Sequence, residues 1–187
     1  GIDQFLDIGS GIPTMGNVHE VAQAVNPEAR VVYVDIDPVA VAHCRSMLAN
    51  NSRAVAIRGD VRDPGALLEH TEVQRMLDFE RPVGLLMVAL LHYVVDDELA
   101  YSSVDRLREA LAPGSYMVVA HSTIVESDKL DGRWQAGSDI FRKASETVER
   151  TLDQVQRFFG DWQLVEPGVV QTPLWRPEGP NDVLLDD

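Results

Sequence analysis

The chain has 187 residues, 45% of them hydrophobic, and is therefore long enough to fold as one globular domain with its own core. Thirty acidic residues against 16 basic ones give a formal net charge of -14, which leaves no basic field to hold a nucleic-acid backbone. The chain has a single cysteine, no apolar run of membrane-spanning length and no basic N-terminal region typical of a signal peptide. These features predict a soluble, cytoplasmic protein, and the acidic charge favours a small-molecule substrate.

Hydrophobic runs of strand length alternate with stretches of helical periodicity along most of the chain. Five strands are predicted, at Gln4 to Ile8, Val31 to Val34, Ala54 to Arg58, Val83 to Leu91 and Ser115 to Ala120. Four helices are predicted between them, beginning near Asn17, Pro38, Pro64 and Asp97. This alternation is typical of a parallel sheet covered by helices, so the predicted fold class is α/β.

The pattern changes after the fifth strand. Residues 122–136 are polar and irregular, and a long helix is predicted from about Ser138 to Phe159. Residues 122–160 are therefore expected to form a variable substrate or lid region within a single domain. Two further strands, Gln163 to Val165 and Val169 to Gln171, predict an antiparallel hairpin at the edge of the sheet.

The predicted strand ends carry residues suited to a nucleoside. Ligands of doubly wound sheets bind at the carboxyl ends of the strands, where Gly9 and Gly11 permit a tight turn and close approach of the backbone. Asp35 ends the second strand, where a carboxylate can accept hydrogen bonds from ribose hydroxyls. Asp60 follows the third strand, where its carboxylate can accept from an adenine amino group while the Val61 amide donates to a ring nitrogen. Each signal alone is weak, but together they predict a nucleoside cofactor.

The first glycine loop also distinguishes between cofactors. A nicotinamide fingerprint has a third glycine or alanine and opens directly into a helix, whereas here Thr14 takes that position and the helix begins only near Asn17. A sulfonium cofactor is positively charged, and the carboxylates of Asp7, Asp35 and Asp60 attract such a charge. The residues therefore favour S-adenosylmethionine over NAD.

The same segments resemble the motifs of class I S-adenosylmethionine-dependent methyltransferases. They are FLDIGSG at 5–11, VYVDID at 32–37, GDV at 59–61, VALLHY at 88–93 and LAPGSY at 111–116. More narrowly, LDIGSGIPT at 6–14, GNVHE at 16–20 and LVEPGVV at 164–170 resemble an actinobacterial family of proposed methyltransferases, formerly a domain of unknown function. This resemblance extends from residue 1 to about residue 180.

The resemblance implies a Rossmann-like, doubly wound sheet of seven strands in the order 3-2-1-4-5-7-6, with strand 7 antiparallel. The cofactor-binding residues that it implies are Asp7, Gly9, Ser10, Gly11, Asp35, Ile36, Asp60 and Val61. Pro13 departs from the class pattern, in which a third glycine is usual. Relatives carry an N-terminal helical segment, so this chain is expected to be a fragment that lacks it.

In-line methyl transfer, which leaves S-adenosylhomocysteine, requires mainly alignment of the reactants and exclusion of water. A general base is needed only for a hydroxyl or ammonium acceptor, and the candidate catalytic residues are His92, Tyr93 and His121 at the ends of the fourth and fifth strands. For each of the two histidines, a structural hydrogen-bonding role at a strand end is favoured over catalysis. No metal site is predicted, because His92, Asp96 and Asp97 fit a solvated helix start better.

The sequence thus predicts an S-adenosylmethionine-dependent methyltransferase whose acceptor is an unidentified small molecule. Three alternatives remain open at this point. The same sheet could serve an aminopropyltransferase or an NAD-dependent oxidoreductase, and the protein could bind the cofactor without transferring its methyl group.

Overall fold

A parallel sheet of five strands forms the centre of the computed structural model, which describes residues 1–123, 146–177 and 179. The strands are β1 (Gln4–Ile8), β2 (Arg30–Asp35), β3 (Ala54–Arg58), β4 (Gly84–Val88) and β5 (Tyr116–Ala120). Their order in the sheet is β3-β2-β1-β4-β5. Because all five are parallel, their carboxyl ends lie along one edge, and the strand order reverses between β1 and β4.

Helices connect the strands, as expected of parallel pairs. The helices are α1 (Val18–Val25), α2 (Pro38–Met47), α3 (Pro64–Glu69), α4 (Thr71–Met76), α5 (Asp97–Glu109) and α6 (Leu152–Arg157), with 3-10 turns at Leu91–Tyr93 and Thr172–Leu174. The carboxylates of Asp37, Asp63 and Asp96 accept hydrogen bonds from first-turn amides of α2, α3 and α5. These short polar side chains satisfy amides that a helix start otherwise leaves unpaired. Among the described helices, none has the length and apolar character needed to cross a bilayer.

The two faces of the sheet are packed against different helices. Side chains alternate across each strand, so Leu6 and Leu85, which are register partners on β1 and β4, contribute to a core shared with α3, α4 and α5. Val31 and Tyr33 on β2 face the other way, into a smaller cluster with Val41 and other residues of α2. The α/β class and the first five strands of the predicted order are therefore confirmed.

The fourth strand is shorter than predicted. It ends at Val88, because Ala89 adopts a left-handed conformation with φ of 53° and takes the chain out of the sheet. A non-glycine residue in this region costs about 1 kcal/mol or more. As a result, His92 lies in a separate 3-10 turn beyond the strand, rather than directly after it.

The end of the chain differs most from the prediction. The predicted helix from Ser138 to Phe159 is wrong at residues 146–151, which are not helical, and its first part, 138–145, lies outside the described residues. The physical reason is that the Arg150 amide donates to Ser122 O at 3.3 Å, next to an isolated parallel bridge between Thr123 and Arg150. The helix α6 begins only after Thr151, whose side chain accepts from the Gln154 amide.

The predicted last hairpin is also absent from the described residues. Residues 163–165 and 169–171 have no strand conformation. A turn does form between them, closed by a hydrogen bond of 2.8 Å from the Gly168 amide to Val165 O, but the flanking segments do not pair, and a 3-10 turn begins at Thr172. The positions 7-6 of the predicted strand order are thus not confirmed.

Candidate functional site

The loop after β1 passes close to the loop after β4. The amide of Gly9 donates to Val34 O at 2.8 Å, and its φ of 78° lies in the region that favours glycine. A Cβ atom at Gly9 would lie 2.7 Å from Leu90 Cδ1, so a side chain there would collide with the β4 loop. Glycine is required here by both conformation and space.

Asp35 connects the loops that follow β1 and β2. Its Oδ2 accepts a hydrogen bond of 2.7 Å from the Gly11 amide, and its Oδ1 accepts one of 2.9 Å from the Asp37 amide. Gly11 has φ of 66°, and a Cβ atom built on it would meet nothing within 4 Å. The two predicted residues are therefore adjacent, beside open space that a ligand can enter.

Asp7 adds a second carboxylate below this loop. Its exposed fraction is 8%, and burial, followed by the negative charge of Asp35, raises its pKa to about 6. Burial and the same two carboxylates raise the pKa of the Cys44 thiol to about 11, which makes this cysteine unreactive. The interior under the glycine loop is thus strongly negative, and a cationic ligand would stabilise it.

Asp60, two residues after the end of β3, forms an ion pair with Arg62 that was not predicted from the sequence. Its Oδ2 accepts from Arg62 Nη2 at 2.6 Å and its Oδ1 accepts from Arg62 Nε at 2.9 Å. Hydrogen bonds from Arg62 hold the pKa of the Asp60 carboxyl below its usual range. Next to it, Val61 is buried, whereas Ile36 at the end of β2 is 49% exposed and presents an apolar surface.

The structure brings together the three predicted catalytic residues. His92 is 3% exposed in the 3-10 turn after β4, and its ring centroid lies 4.3 Å from that of Tyr93. The ring of His121, at the end of β5, stands almost perpendicular to His92 at a centroid distance of 5.8 Å. Tyr93 is partly exposed, so this group reaches the surface through its tyrosine.

A buried arginine lies behind these rings. Arg150 is 0% exposed and donates to Asp97 Oδ1 at 2.9 Å and 3.0 Å. It also donates to the carbonyl oxygens of Leu91 at 2.9 Å and Val94 at 2.8 Å, and to His121 Nε2 at 2.9 Å. The helix predicted from Ser138 to Phe159 contained Arg150, and no local motif in the sequence marks its role.

The contacts of His121 define its protonation state. Because a guanidinium can only donate, His121 Nε2 must accept from Arg150, and because a carbonyl can only accept, Nδ1 must carry the proton that it donates to Ser122 O at 2.6 Å. Burial is the main cause that lowers the pKa of His121, and Arg150 adds to it. Burial and then Arg150 also lower the pKa of His92. Both rings are therefore neutral at neutral pH.

The acidic residues near His92 have other partners. Asp96 caps α5 by accepting from the Leu99 amide at 2.8 Å, and Asp97 pairs with Arg150. Within residues 1–123, 146–177 and 179, no group of three His, Cys, Asp or Glu side chains could hold a metal ion.

Comparison with known proteins gives one family match and several similar structures. A family model described as S-adenosyl methyltransferase matches residues 1–186. The structure of a proposed methyltransferase from Thermobifida fusca is 47% identical, with a TM-score of 0.87 over 98% of this chain and 67% of that one. A DUF574 family protein from Streptomyces avermitilis is 36% identical, with a TM-score of 0.88 over 100% of this chain and 71% of that one.

A more distant structure shows the fold alone. Human N-acetylserotonin methyltransferase, in complex with S-adenosylmethionine, is 17% identical, with a TM-score of 0.57 over 88% of this chain and 42% of that one. No protein of curated function is significantly similar in sequence.

The residues at the carboxyl edge fit the cofactor that these relatives imply. Gly11 borders open space, Asp35 offers carboxylate oxygens beside it, and Asp7 supplies negative charge below. The family match covers nearly the whole chain, and it confirms the resemblance found in the motifs. The chain belongs to the S-adenosyl methyltransferase family, and S-adenosylmethionine is its cofactor.

Proposed function

We propose that the protein transfers a methyl group from S-adenosylmethionine to a small-molecule acceptor by direct in-line displacement. The observation that carries the proposal is the position of Asp35, which holds the Gly11 and Asp37 amides and so stands at the junction of the two loops beside open space. A carboxylate there can accept hydrogen bonds from both ribose hydroxyls, because its oxygens have about four lone-pair sites and the two amides occupy only two.

We assign the adenine end of the site to the ends of β2 and β3. Ile36 offers an exposed apolar side chain for the face of the base, and the Val61 amide and Asp60 carboxylate are assigned to its edge. Arg62 competes for the Asp60 oxygens, but its side chain is 49% exposed and can rotate away when a ligand enters.

The methionine end is assigned to the loop after β1. Gly9 and Gly11 let the backbone approach the ligand, Ser10 lies between them, and Asp7 contributes negative charge from below. When bound, the cofactor supplies an activated methyl group on a positively charged sulfur. The protein's own residues hold and align the reactants and exclude water around that group.

The acceptor is assigned to the ends of β4 and β5. His92 is the candidate general base, because burial and Arg150 keep it neutral and therefore able to take a proton from a hydroxyl or ammonium acceptor. Tyr93 is partly exposed beside it and can contact the acceptor. The hydrogen bonds of both His121 nitrogens favour a supporting role for this histidine.

A small acceptor is favoured by charge. The chain has a formal net charge of -14, and a nucleic-acid acceptor would be repelled by it. The family match gives no support to an aminopropyltransferase or an oxidoreductase.

Calorimetric titration of S-adenosylmethionine tests the proposal. We expect micromolar-range binding by the wild type and a loss of at least about tenfold in Asp35→Ala, because hydrogen bonds to a charged group contribute about 1.5–3 kcal/mol each. Asp37→Ala is the matched control: it removes a carboxylate two residues away that caps α2 through the Val39 amide, so it should cost stability but leave affinity unchanged.

Equal affinity of Asp35→Ala and the wild type would contradict the site assignment. Titrations with decarboxylated S-adenosylmethionine and with NAD separate the other enzyme classes, since tighter binding of either ligand would favour the corresponding enzyme. Lack of cofactor consumption across broad acceptor libraries would favour a protein that binds the cofactor without catalysis.

A further inference from the structure

Arg150 joins three elements that are distant in sequence. Its guanidinium contacts the turn after β4, the first residue of α5 and the histidine that follows β5. A fully buried arginine is rare unless it is paired, and Asp97, its carboxylate partner, is itself 48% exposed. A buried ion pair is weak evidence for stability, since apolar residues of similar size often serve as well. The arrangement therefore requires another explanation.

We propose that Arg150 is a positioning residue, which fixes the turn carrying His92 and orients the ring of His121 against it. The consequence for catalysis rests on the proposed function, in which His92 is the base. The positioning itself can be measured without any acceptor.

The backbone of the turn that carries His92 is held by residues 148–150. A 3-10 turn of three residues leaves carbonyl groups unsatisfied at its end. Arg150 donates to the carbonyl of Val94 and adds a second hydrogen bond to the carbonyl of Leu91, which also accepts from the Val94 amide at 3.1 Å, so it holds both sides of His92 and Tyr93. The carbonyl of His92 itself accepts from the Val148 amide at 2.8 Å. Residues 148–150 therefore hold the turn on both sides of the candidate base.

The positive charge of Arg150 acts on both histidine rings. The groups that face His92 are Arg150 from the returning segment, His121 from the end of β5 and Tyr93 from its own turn, with Asp97 of α5 beyond Arg150. Arg150 is the fixed cation of this set and disfavours a second positive charge on either histidine. It also donates to His121 Nε2, so it selects the tautomer with the proton on Nδ1.

Imidazole nitrogen resonances of the protein labelled with [15N]histidine test the proposal between about pH 5 and pH 8. Single substitutions of His92 and His121 assign the signals. In the wild type we expect His121 as the Nδ1–H tautomer and both rings to titrate below the ordinary histidine range. In Arg150→Met, which removes the charge, both titrations should move to higher pH.

Two further variants separate charge from geometry. Arg150→Lys keeps the cation but cannot reach both carbonyls and His121 together, so the titrations should stay low while His121 becomes a mixture of tautomers and the Val148 amide exchanges faster with solvent. Arg157→Met is the matched control, because Arg157 lies over the ring of Tyr101 on α5, at 4.1 Å, rather than beside the histidines. It should leave both titrations unchanged.

The outcomes are distinct. An unchanged His92 titration in Arg150→Met that still binds S-adenosylmethionine overturns the proposal. If that variant does not fold, unchanged His121 tautomer and Val148 exchange in Arg150→Lys overturn it instead. Failure of the wild type to bind S-adenosylmethionine contradicts the proposed function but leaves the histidine measurements valid. Once an acceptor is known, Arg150→Lys should lower kcat by up to about a hundredfold with cofactor affinity unchanged.

Discussion

The two halves of the carboxyl edge are built from opposite charges. The carboxylates of Asp7, Asp35 and Asp60 lie at or just after the ends of β1, β2 and β3, and the loop that Asp35 holds borders open space. At the ends of β4 and β5, a cation is buried behind two histidine rings that it keeps neutral. The first half can attract a cationic ligand from solvent, whereas the second holds its charge out of water and fixes the groups in front of it.

The largest effect on the free energy of unfolding is expected in the second half of the carboxyl edge, at the ion pair of Arg150 and Asp97. Asp97→Ala leaves Arg150 buried without its carboxylate, which should lower the free energy of unfolding by about 3–4 kcal/mol, as measured by urea denaturation. Glu109→Ala, which breaks an exposed pair of 3.8 Å with Arg106 on the same helix, is the control and should cost less than about 0.5 kcal/mol. Near-equal stability of the two variants would mean that backbone carbonyls alone satisfy Arg150.

The two glycines of the first half should differ from each other. Gly9→Ala combines a left-handed conformation with a collision at Leu90 and should cost about 2–3 kcal/mol of stability. Gly11→Ala has the conformational cost alone, about 1 kcal/mol, since its Cβ meets open space. Both variants should bind S-adenosylmethionine more weakly by calorimetry. Partial recovery of stability in the double variant Gly9→Ala, Leu90→Ala would confirm the collision.

The ionised carboxylate of Asp7 is expected to strengthen cofactor binding and to lower the stability of the fold. Its pKa is raised from 3.8 to about 6, so its ionisation in the folded protein destabilises the fold as pH rises through that window, and the cost is complete above about pH 6. Asp7→Asn should therefore gain about 1–2 kcal/mol of stability at pH 7, less than the full shift because the amide is also buried. Thermal melts and calorimetry at the same pH measure both properties.

The cofactor affinity gives a second measurement at the same residue. In the wild type it should fall as pH drops below about 6, where Asp7 becomes protonated and loses its attraction for a cation. In Asp7→Asn the affinity should be lower at neutral pH and should vary less across this range. Equal pH dependence in the two proteins would remove Asp7 from the cofactor site.

The smallest effect is expected at Arg62. Its ion pair with Asp60 is partly exposed, so Arg62→Ala should change stability by less than about 1 kcal/mol. Cofactor affinity, measured by calorimetry, should stay the same or rise slightly, because a competitor for the Asp60 oxygens is removed. A large loss of affinity would show instead that Arg62 itself contacts the ligand.

The sequence predicted which residues meet in the first half of the carboxyl edge but missed Arg150 in the second, because the signals of the first half are local. Gly9, Gly11 and Asp35 occupy strand ends that hydrophobic runs define, and the strand order brings them together. Arg150 binds two backbone carbonyls that lie 56 and 59 positions earlier in the chain, and every residue has a carbonyl, so no side-chain pattern could reveal these two partners. Its side-chain partners, Asp97 and His121, lie 53 and 29 positions away and share no local motif with it. Cofactor roles at individual residues stay predictions.

Three local predictions were wrong, each for a different reason. The capping box formed by Thr151 and Gln154 marks the start of α6, and it was available in the sequence when a longer helix was predicted. The early end of β4 had no such signal, because an alanine at position 89 gives no indication in the sequence of a left-handed conformation. The two strands predicted near the chain end relied on short apolar runs, which do not by themselves specify a pairing partner.

The bridge between Thr123 and Arg150 has a consequence for how such proteins diversify. The chain leaves the sheet after Ala120, and three residues later Thr123 forms an isolated parallel bridge with Arg150. The entropy of closing a chain segment grows only slowly with its length. A segment whose two ends are paired can therefore be replaced by one of another length at little cost to the stability of the rest of the fold. Thr123 and Arg150 are therefore suitable junctions for chimaeras with the Thermobifida fusca relative, which should keep the sheet and the cofactor affinity of the parent.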